Sequence, residues 1–425
     1  MNKLPFWVDR AGRLLAHLTR RWHRPRTCKI VIFTPGTAEA EADRIIRSMG
    51  GRTVKRLPLL NGVVCELDHA ADLTALAAHQ QVTRIDDDLR VQAYPFFCRS
   101  WRPAALPQPA EKIPWGVSRV GAPALWEDRE ADLGAGVSVA VLDTGVDLNH
   151  PDLSPNLAAG VNILNPRRPP KDDNGHGTHV AGIIAAARNG IGVAGAAPRA
   201  QLHPVKVLDK DGGGRLSDVV QGLEWCIRQG IRVVNLSLGS PEGNPTFAEA
   251  VRRAAAAGIV LVAAAGNSGP YPDTLGYPAR YPRVIAVGAT TEGDRVADFS
   301  SRGEELDLVA PGSNIPSTWL NGSYRELSGT SMAAPHVAGL AALLLAREPG
   351  LSPDEVKSRL RAGAVPLPGW PPEAQGAGLV NGPRSARPAL LSQKAEQVGQ
   401  EGRSVLEHGD VAESGIDQEL GPGDQ

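Results

Sequence analysis

Three polar residues stand at junctions between loops and regular elements, where side chains could do chemistry together. Ser331 lies in LSGTSMAAPHVAG, residues 327–339, with Gly, Ala and one Pro around its hydroxyl. So little bulk suits a helix packed close to its neighbours. It equally lets a substrate backbone reach a nucleophile at a helix start, where unpaired N–H groups are open to an oxyanion. His176 opens a helical pattern in DNGHGTHVAG, between Gly175 and Gly177. Asp143 ends the apolar run of VAVLDTGVD, where a carboxylate is costly unless something accepts its charge. Hydroxyl, imidazole and carboxylate at three loop-to-element junctions are the parts of a base-activated nucleophile. Taken singly, each has an ordinary role: helix N-cap, solvated loop histidine, strand-end turn. His179, on the same turn as His176, allows a metal pair, but neither H-E-x-x-H nor a third ligand accompanies it.

The elements that must hold these residues alternate. VSVAVLD, QLHPVKVLD, RVVNLSLG, IVLVAAAGN and VIAVGAT read as buried strands, and GTHVAGIIAAA, LSDVVQGLEWCIRQG and FAEAVRRAAAAG as helices. Continuous apolar strands between helices predict an α/β domain, a doubly wound, mostly parallel sheet with helices on both faces and functional loops at the carboxyl ends. Residues 27–94 predict a smaller α+β domain. CKIVIF and GVVCEL read as strands, EAEADRIIRSMG and DLTALAAHQ as helices, and VTRIDDDLRVQAY as a closing strand, a β-α-β-β-α-β order that suits a ferredoxin-like sandwich. Residues 95–110 form a linker in which repeated Pro blocks helix and inner strand. The larger α/β domain is expected over 111–382, and the polar, aperiodic segment 383–425 is expected to be disordered.

Composition narrows the function classes. Hydrophobic content of 42% with 21% charge is ordinary for a globular protein, and a net charge of −1 offers no field for nucleic acid or an anionic membrane. Cys28, Cys65, Cys98 and Cys226 lack C-x-x-C spacing, which argues against zinc and for free thiols. The basic leader, residues 1–26, places Leu14, Leu15, Leu18 and Trp22 on one face of a short helix. It has no uninterrupted apolar core and no small-residue cleavage site, so it does not read as a standard signal peptide. A docked or frayed leader is the expectation, and the compartment stays open between cytoplasm and non-standard export. No run approaches the roughly 20 apolar residues of a membrane-spanning helix.

With VLDTGVDLNHPDL, NGHGTHVAG, SLGS, AAAGN and SGTSMAAPHVAG in that order, the chain resembles the subtilisin-like serine proteases, the subtilases. The likeness runs from about Glu111 to Asn381. An α/β-hydrolase esterase is disfavoured, because GTSMA lacks the second Gly of G-x-S-x-G and the order Asp, His, Ser differs.

The resemblance implies a serine endopeptidase in which Ser331 attacks, His176 carries the proton, Asp143 orients the imidazole and Asn267 donates to the oxyanion. It implies that Gly212, Gly213 and Gly214, with Ser237, Leu238 and Gly239, clamp an extended peptide. The P1 pocket would be walled by Ser237–Gly239, Ala264–Gly266 and Gly276. Ser268 stands at its rim where some relatives carry an acid, so large apolar or aromatic P1 residues are expected. A structural Ca²⁺ is implied at Glu111, Asp152, Ala187, Asn189, Ile191 and Val193, through oxygen ligands. A second, weaker cation site is implied at the carbonyls of Ala279, Tyr281 and Val284. The 27–94 domain resembles the inhibitory propeptide of secreted subtilisins, which implies a self-processing zymogen. Two departures stand out: no evident signal peptide, and Pro95 directly after Tyr94. Expected partners are protein or peptide substrates and the chain's own prodomain, with no nucleic acid and a monomeric enzyme. The rival readings are a non-catalytic subtilase fold used for binding and a metal hydrolase built on His176 and His179.

Overall fold

The computed structural model describes residues 27–67, 71–102, 108–127 and 132–387. The leader and the chain beyond residue 387 lie outside the described residues, and with them the expectations of a leader helix and of a disordered tail. Among the described residues no helix is long and apolar enough to cross a membrane.

The first domain comprises β1 (Thr27–Phe33), α1 (Glu39–Ser48), β2 (Gly51–Leu57), β3 (Gly62–Leu67), α2 (Ala71–Ala77) and β4 (Val82–Asp87). Its strands form an antiparallel sheet in the order β2-β3-β1-β4. Successive strand residues point to opposite faces, and the sequence is apolar on both. Val31, Phe33, Val63, Cys65 and Leu67 pack beneath Ile45 and Ile46 of α1. Ile30, Ile32 and Val64 face the other way and join the core of the larger domain. VTRIDDDLRVQAY therefore does not remain one strand: β4 completes this sheet, and β5 (Arg90–Ala93) leaves it.

The proline-free part of the linker also departs from the expected loop. It forms β6 (Phe97–Arg102), which stays at a sheet edge beside β17.

The larger domain begins with the short helices α3 (Trp115–Arg119) and α4 (Ala122–Trp126). Then follow β7 (Ser138–Asp143), β8 (Val161–Asn162), α5 (His176–Ala185), β9 (Gln201–Lys206), β10 (Gly213–Arg215), α6 (Leu216–Arg228), β11 (Val233–Leu236) and β12 (Leu238–Gly239). The chain continues through α7 (Pro245–Ala256), β13 (Val260–Ala264), β14 (Val284–Thr290), β15 (Leu308–Pro311), β16 (Ile315–Trp319) and β17 (Ser323–Ser328). It closes with α8 (Thr330–Arg347), α9 (Pro353–Gly363), α10 (Pro372–Gln375) and α11 (Gly382–Ser385). Helix α11 packs on α9 and α4, with Ser385 buried, so the packed chain runs a few residues past 382.

Seven parallel strands run β15-β14-β13-β11-β7-β9-β8, which makes the domain α/β with a doubly wound sheet. Strand order reverses around β7, so the crevice at its carboxyl end is where such sheets bind ligands. Asp143 is the last residue of β7. Helix α8 is buried on every side from Thr330 to Leu345, against α5, β11, β13 and β14. The Ala and Gly of SMAAPHVAG are what such close packing requires, and added methylenes there typically cost about 1–3 kcal/mol.

Candidate active site

His176 is the first residue of α5, and its ring stands over the end of β7. His176 Nδ1 lies 2.8 and 2.9 Å from the two Asp143 carboxylate oxygens, and both side chains are fully buried. Asp143 Oδ1 also accepts from the Thr144 N–H at 2.7 Å. Burial pulls the His176 pKa down, but the Asp143 charge, their hydrogen bond and nearby Asp172 outweigh it, so it stands above the ordinary histidine value. His176 Nε2 is buried with no hydrogen-bond partner. His179, one turn along, has its pKa lowered to about 3 by burial, and its Nε2 meets the Arg325 carbonyl at 3.1 Å.

Ser331 sits in the first turn of α8. Its hydroxyl donates to the Ser237 carbonyl at 3.2 Å. In return the Ser237 hydroxyl donates to the Ser331 carbonyl at 3.0 Å. That carbonyl would ordinarily accept from the N–H four residues on, which is Pro335 and has none. Asn267 follows β13, and Thr330 holds its Oδ1 through its N–H at 2.9 Å and its hydroxyl at 2.8 Å. This leaves the amide Nδ2 facing the cleft, where it donates to the Pro95 carbonyl at 2.7 Å.

The cleft holds the chain's own residues 90–97. Strand β5 lies antiparallel between β10 and β12, with Val91 opposite Gly214, Gln92 opposite Gly213 and Gly239, and Ala93 opposite Leu238. The Ala93 N–H donates to the Gly212 carbonyl at 2.9 Å. All the glycines read as a peptide clamp therefore flank one extended strand. Tyr94 enters the pocket beyond it, its hydroxyl buried without a partner. A Cβ on Gly239 or Gly276 would stand 2.0 or 2.2 Å from that hydroxyl, and one on Gly266 would stand 3.5 Å from the ring. At 239 and 276 only glycine leaves room for the Tyr94 hydroxyl. Ser268 is exposed. Past Pro95, Phe96 stacks on His176, and β6 pairs antiparallel with β17.

Carboxylates of the first domain hold its position against the second. Asp88 accepts from the Ser217 N–H and hydroxyl, both at 2.9 Å, in the first turn of α6. Asp86 accepts from the Thr246 hydroxyl at 2.6 Å, near the start of α7. Negative charge is favoured at both helix N-termini.

The residues expected to bind Ca²⁺ come together from three segments. Asp152 Oδ2 accepts from the Val193 N–H and the Tyr324 hydroxyl, each at 3.0 Å, while Oδ1 is buried with no partner. Glu111 Oε2 accepts from the Gly190 N–H at 3.0 Å, and Asn189 Oδ1 from the Ile191 N–H at 3.2 Å. The Ala187 N–H donates to the Asp152 carbonyl at 2.8 Å. Among the described residues no three His, Cys, Asp or Glu side chains cluster as metal ligands, so a cation on this loop would rest largely on backbone and amide oxygens. At the second, weaker cation site expected, one carbonyl has a lysine partner. The Val284 carbonyl accepts from Lys357 Nζ at 2.7 Å, and the same ammonium meets the Pro282 carbonyl at 2.9 Å and Asp307 at 2.8 Å. Lys357 thus meets one of the three carbonyls, that of Val284, expected at this site.

Sequence reasoning missed several residues here. Asp172, buried, accepts from the Thr144 hydroxyl, the Asn174, Gly175 and Thr178 N–H groups and the Thr178 hydroxyl, which fixes the approach to His176. Its position a few residues before a helix start was the available signal. Thr330 and Trp319 had none, because what they touch is remote in sequence.

A serine at a buried helix start, an Asp–His pair and a strand-clamping cleft fit a peptide-bond hydrolase on a subtilisin-like fold. Comparison agrees: residues 134–404 match the subtilase family, Peptidase_S8. Over 278 residues, 65% of this chain and 100% of the relative, it is 47% identical to subtilisin BL of Lederbergia lenta. Over 333 residues, 78% of this chain and 82% of the relative, it is 40% identical to subtilisin E of Bacillus subtilis. The chain belongs to the subtilase family and is a serine-type endopeptidase.

Proposed function

We propose that Ser331, His176 and Asp143 form the catalytic triad, that Asn267 with the Ser331 N–H receives the oxyanion, and that the enzyme prefers large apolar or aromatic P1 residues. The observation that carries this reading is the seating of β5 and Tyr94 in the cleft, as a substrate's extended strand and P1 side chain would sit. In the reaction the Ser331 hydroxyl turns from Ser237 to His176 Nε2, gives up its proton there and bonds to the scissile carbonyl carbon. The oxyanion takes the Asn267 donor. His176 then protonates the leaving amine, and water repeats the sequence on the acyl-enzyme. Asp143 holds the Nδ1–H tautomer and stabilises the imidazolium.

The 27–94 domain is read as an intramolecular inhibitor and the chain as a self-processing zymogen that works as a monomer. The P1 pocket and the Asn267 amide are engaged by different residues, Tyr94 and Pro95, so no single peptide bond is offered to Ser331 in register with both. Glu111, Asp152, Ala187, Asn189, Ile191 and Val193 would hold a structural Ca²⁺. The unpartnered Asp152 Oδ1 supports it, since a buried carboxylate oxygen is costly without a cation or donor. Bound there, the ion would tie three distant segments together and supply no step of the chemistry. A fluorophosphonate should label the active protein on Ser331 alone, located by peptide mapping. An active protein with an unmodified Ser331 would overturn the assignment.

A further inference from the structure

Trp319 ends β16 beside the catalytic histidine, and the side chain it meets there is Phe96. The Phe96 ring stacks on His176 at 5.8 Å between centroids with 27° between planes, and meets the Trp319 indole edge-on at 6.1 Å and 71°. Trp319 is itself fixed. The Arg325 guanidinium lies over its ring at 4.3 Å, and His179 meets it edge-on at 6.3 Å. Gly175, at φ 110°, leaves the space it fills, since a Cβ there would stand 2.3 Å from the indole. Trp319 as a whole is 6% exposed. Counted from Tyr94 in the P1 pocket, Phe96 is the second residue on the leaving-group side; counted from the Pro95 carbonyl at Asn267 it is the first, and β6 carries the chain on along β17.

We propose that this is a substrate subsite: the His176 ring face and the Trp319 indole receive the side chain of the second residue after the scissile bond, the P1 pocket setting the register, and select an aromatic one, with Trp319 determining specificity. The inference rests on the endopeptidase reading of the site. Its physical basis is the shape and apolarity of the seat. A flat ring contacts both walls in the offset and edge-on geometries aromatic pairs prefer. A methyl group reaches neither, and a carboxylate would lose its hydration beside an apolar wall. An aromatic ring there also screens the imidazole from water.

The test uses fluorescent peptides of sequence Val-Gln-Ala-Tyr-Ser-X-Ala-Ala with X as Phe, Leu, Ala or Asp. In kcat/KM, Phe at X should exceed Ala by about tenfold, within the range apolar pockets give for small differences in side-chain size. Trp319→Leu should shrink that ratio to about twofold, and Trp319→Phe should restore most of it. Binding to Ser331→Ala protein that has been nicked in the 95–110 linker with an added protease and freed of the 27–94 domain, by anisotropy, should show the same order without any catalysis. Equal affinity and equal kcat/KM for Phe and Ala overturn the proposal, as does a preference that Trp319→Leu leaves unchanged. If no peptide is hydrolysed, the endopeptidase reading falls, while the binding ratio still decides the subsite.

Discussion

Ser237 and Ser331 grip each other: the Ser331 hydroxyl donates to the Ser237 carbonyl at 3.2 Å, and the Ser237 hydroxyl donates to the Ser331 carbonyl at 3.0 Å. The second bond supplies the donor that Pro335 withholds from the first turn of α8. Ser237→Ala should leave that carbonyl buried and unmet, a loss of about 1–3 kcal/mol. Denaturant unfolding of Ser331→Ala protein with and without the change measures it free of self-digestion. A midpoint that does not move would show that the bond is incidental.

Removing the nucleophile or the oxyanion donor should act on turnover rather than on folding. Ser331→Ala should abolish peptide hydrolysis, leaving at most the residual ~10³–10⁴-fold rate over water that binding and the oxyanion donors supply. Asn267→Ala should cost about 10²–10³ in kcat, the magnitude known for a subtilisin. Wild-type turnover in Ser331→Ala would remove the enzymatic reading of this serine.

The pH profile follows from His176. As the proposed general base it would work only when neutral, and its pKa stands above the ordinary 6.5 because the Asp143 charge and hydrogen bond outweigh burial. Activity should therefore fall as pH drops through that raised value, with the acid limb of kcat/KM above 6.5. Asp143→Asn should move the limb to lower pH and reduce kcat by about 10⁴. An acid limb unmoved by that substitution would assign it to another group.

Calcium removal should lower thermal stability, because residues from three segments would bind the ion only when folded. At a hundredfold excess over Kd the linkage is worth about 2.7 kcal/mol. Chelator titration followed by thermal scans measures it, and Asp152→Ala or Asn189→Ala should shrink the response. Indifference of wild type to chelator would remove calcium from the account.

Maturation should avoid the Tyr94–Pro95 bond. Its leaving group is a tertiary amide nitrogen with fixed φ, and the carbonyl on the Asn267 amide is Pro95's, not Tyr94's. Self-cleavage is expected between Phe96 and Glu111, and not in Ser331→Ala, with the new N-terminus read by mass spectrometry. A mature chain beginning at Pro95, or an uncut chain with full activity, would falsify this.

Much of the scaffold was legible because buried parallel strands read as apolar runs and their helices as amphipathic intervals. Asp143 and His176 could be placed at the ends of such elements from sequence alone. Where elements broke, the cause was a contact remote in sequence. RVVNLSLG divides into β11 and β12 at Ser237, whose side chain turns to Ser331, 94 residues on. VTRIDDDLRVQAY divides because Asp88 meets Ser217, 129 residues on, and β5 follows into the cleft.

The sequence by itself determined which side chains end which elements, because local periodicity and turn chemistry act over a few residues. Only the tertiary structure decided where those side chains point and what already fills their space. The Ser331 hydroxyl faces Ser237, Pro95 rather than Tyr94 holds the Asn267 amide, Lys357 sits on the Val284 carbonyl, and Trp319 stands beside His176. Each is a choice of rotamer or register made by close packing between segments far apart in the chain, and a one-dimensional pattern carries no term for it.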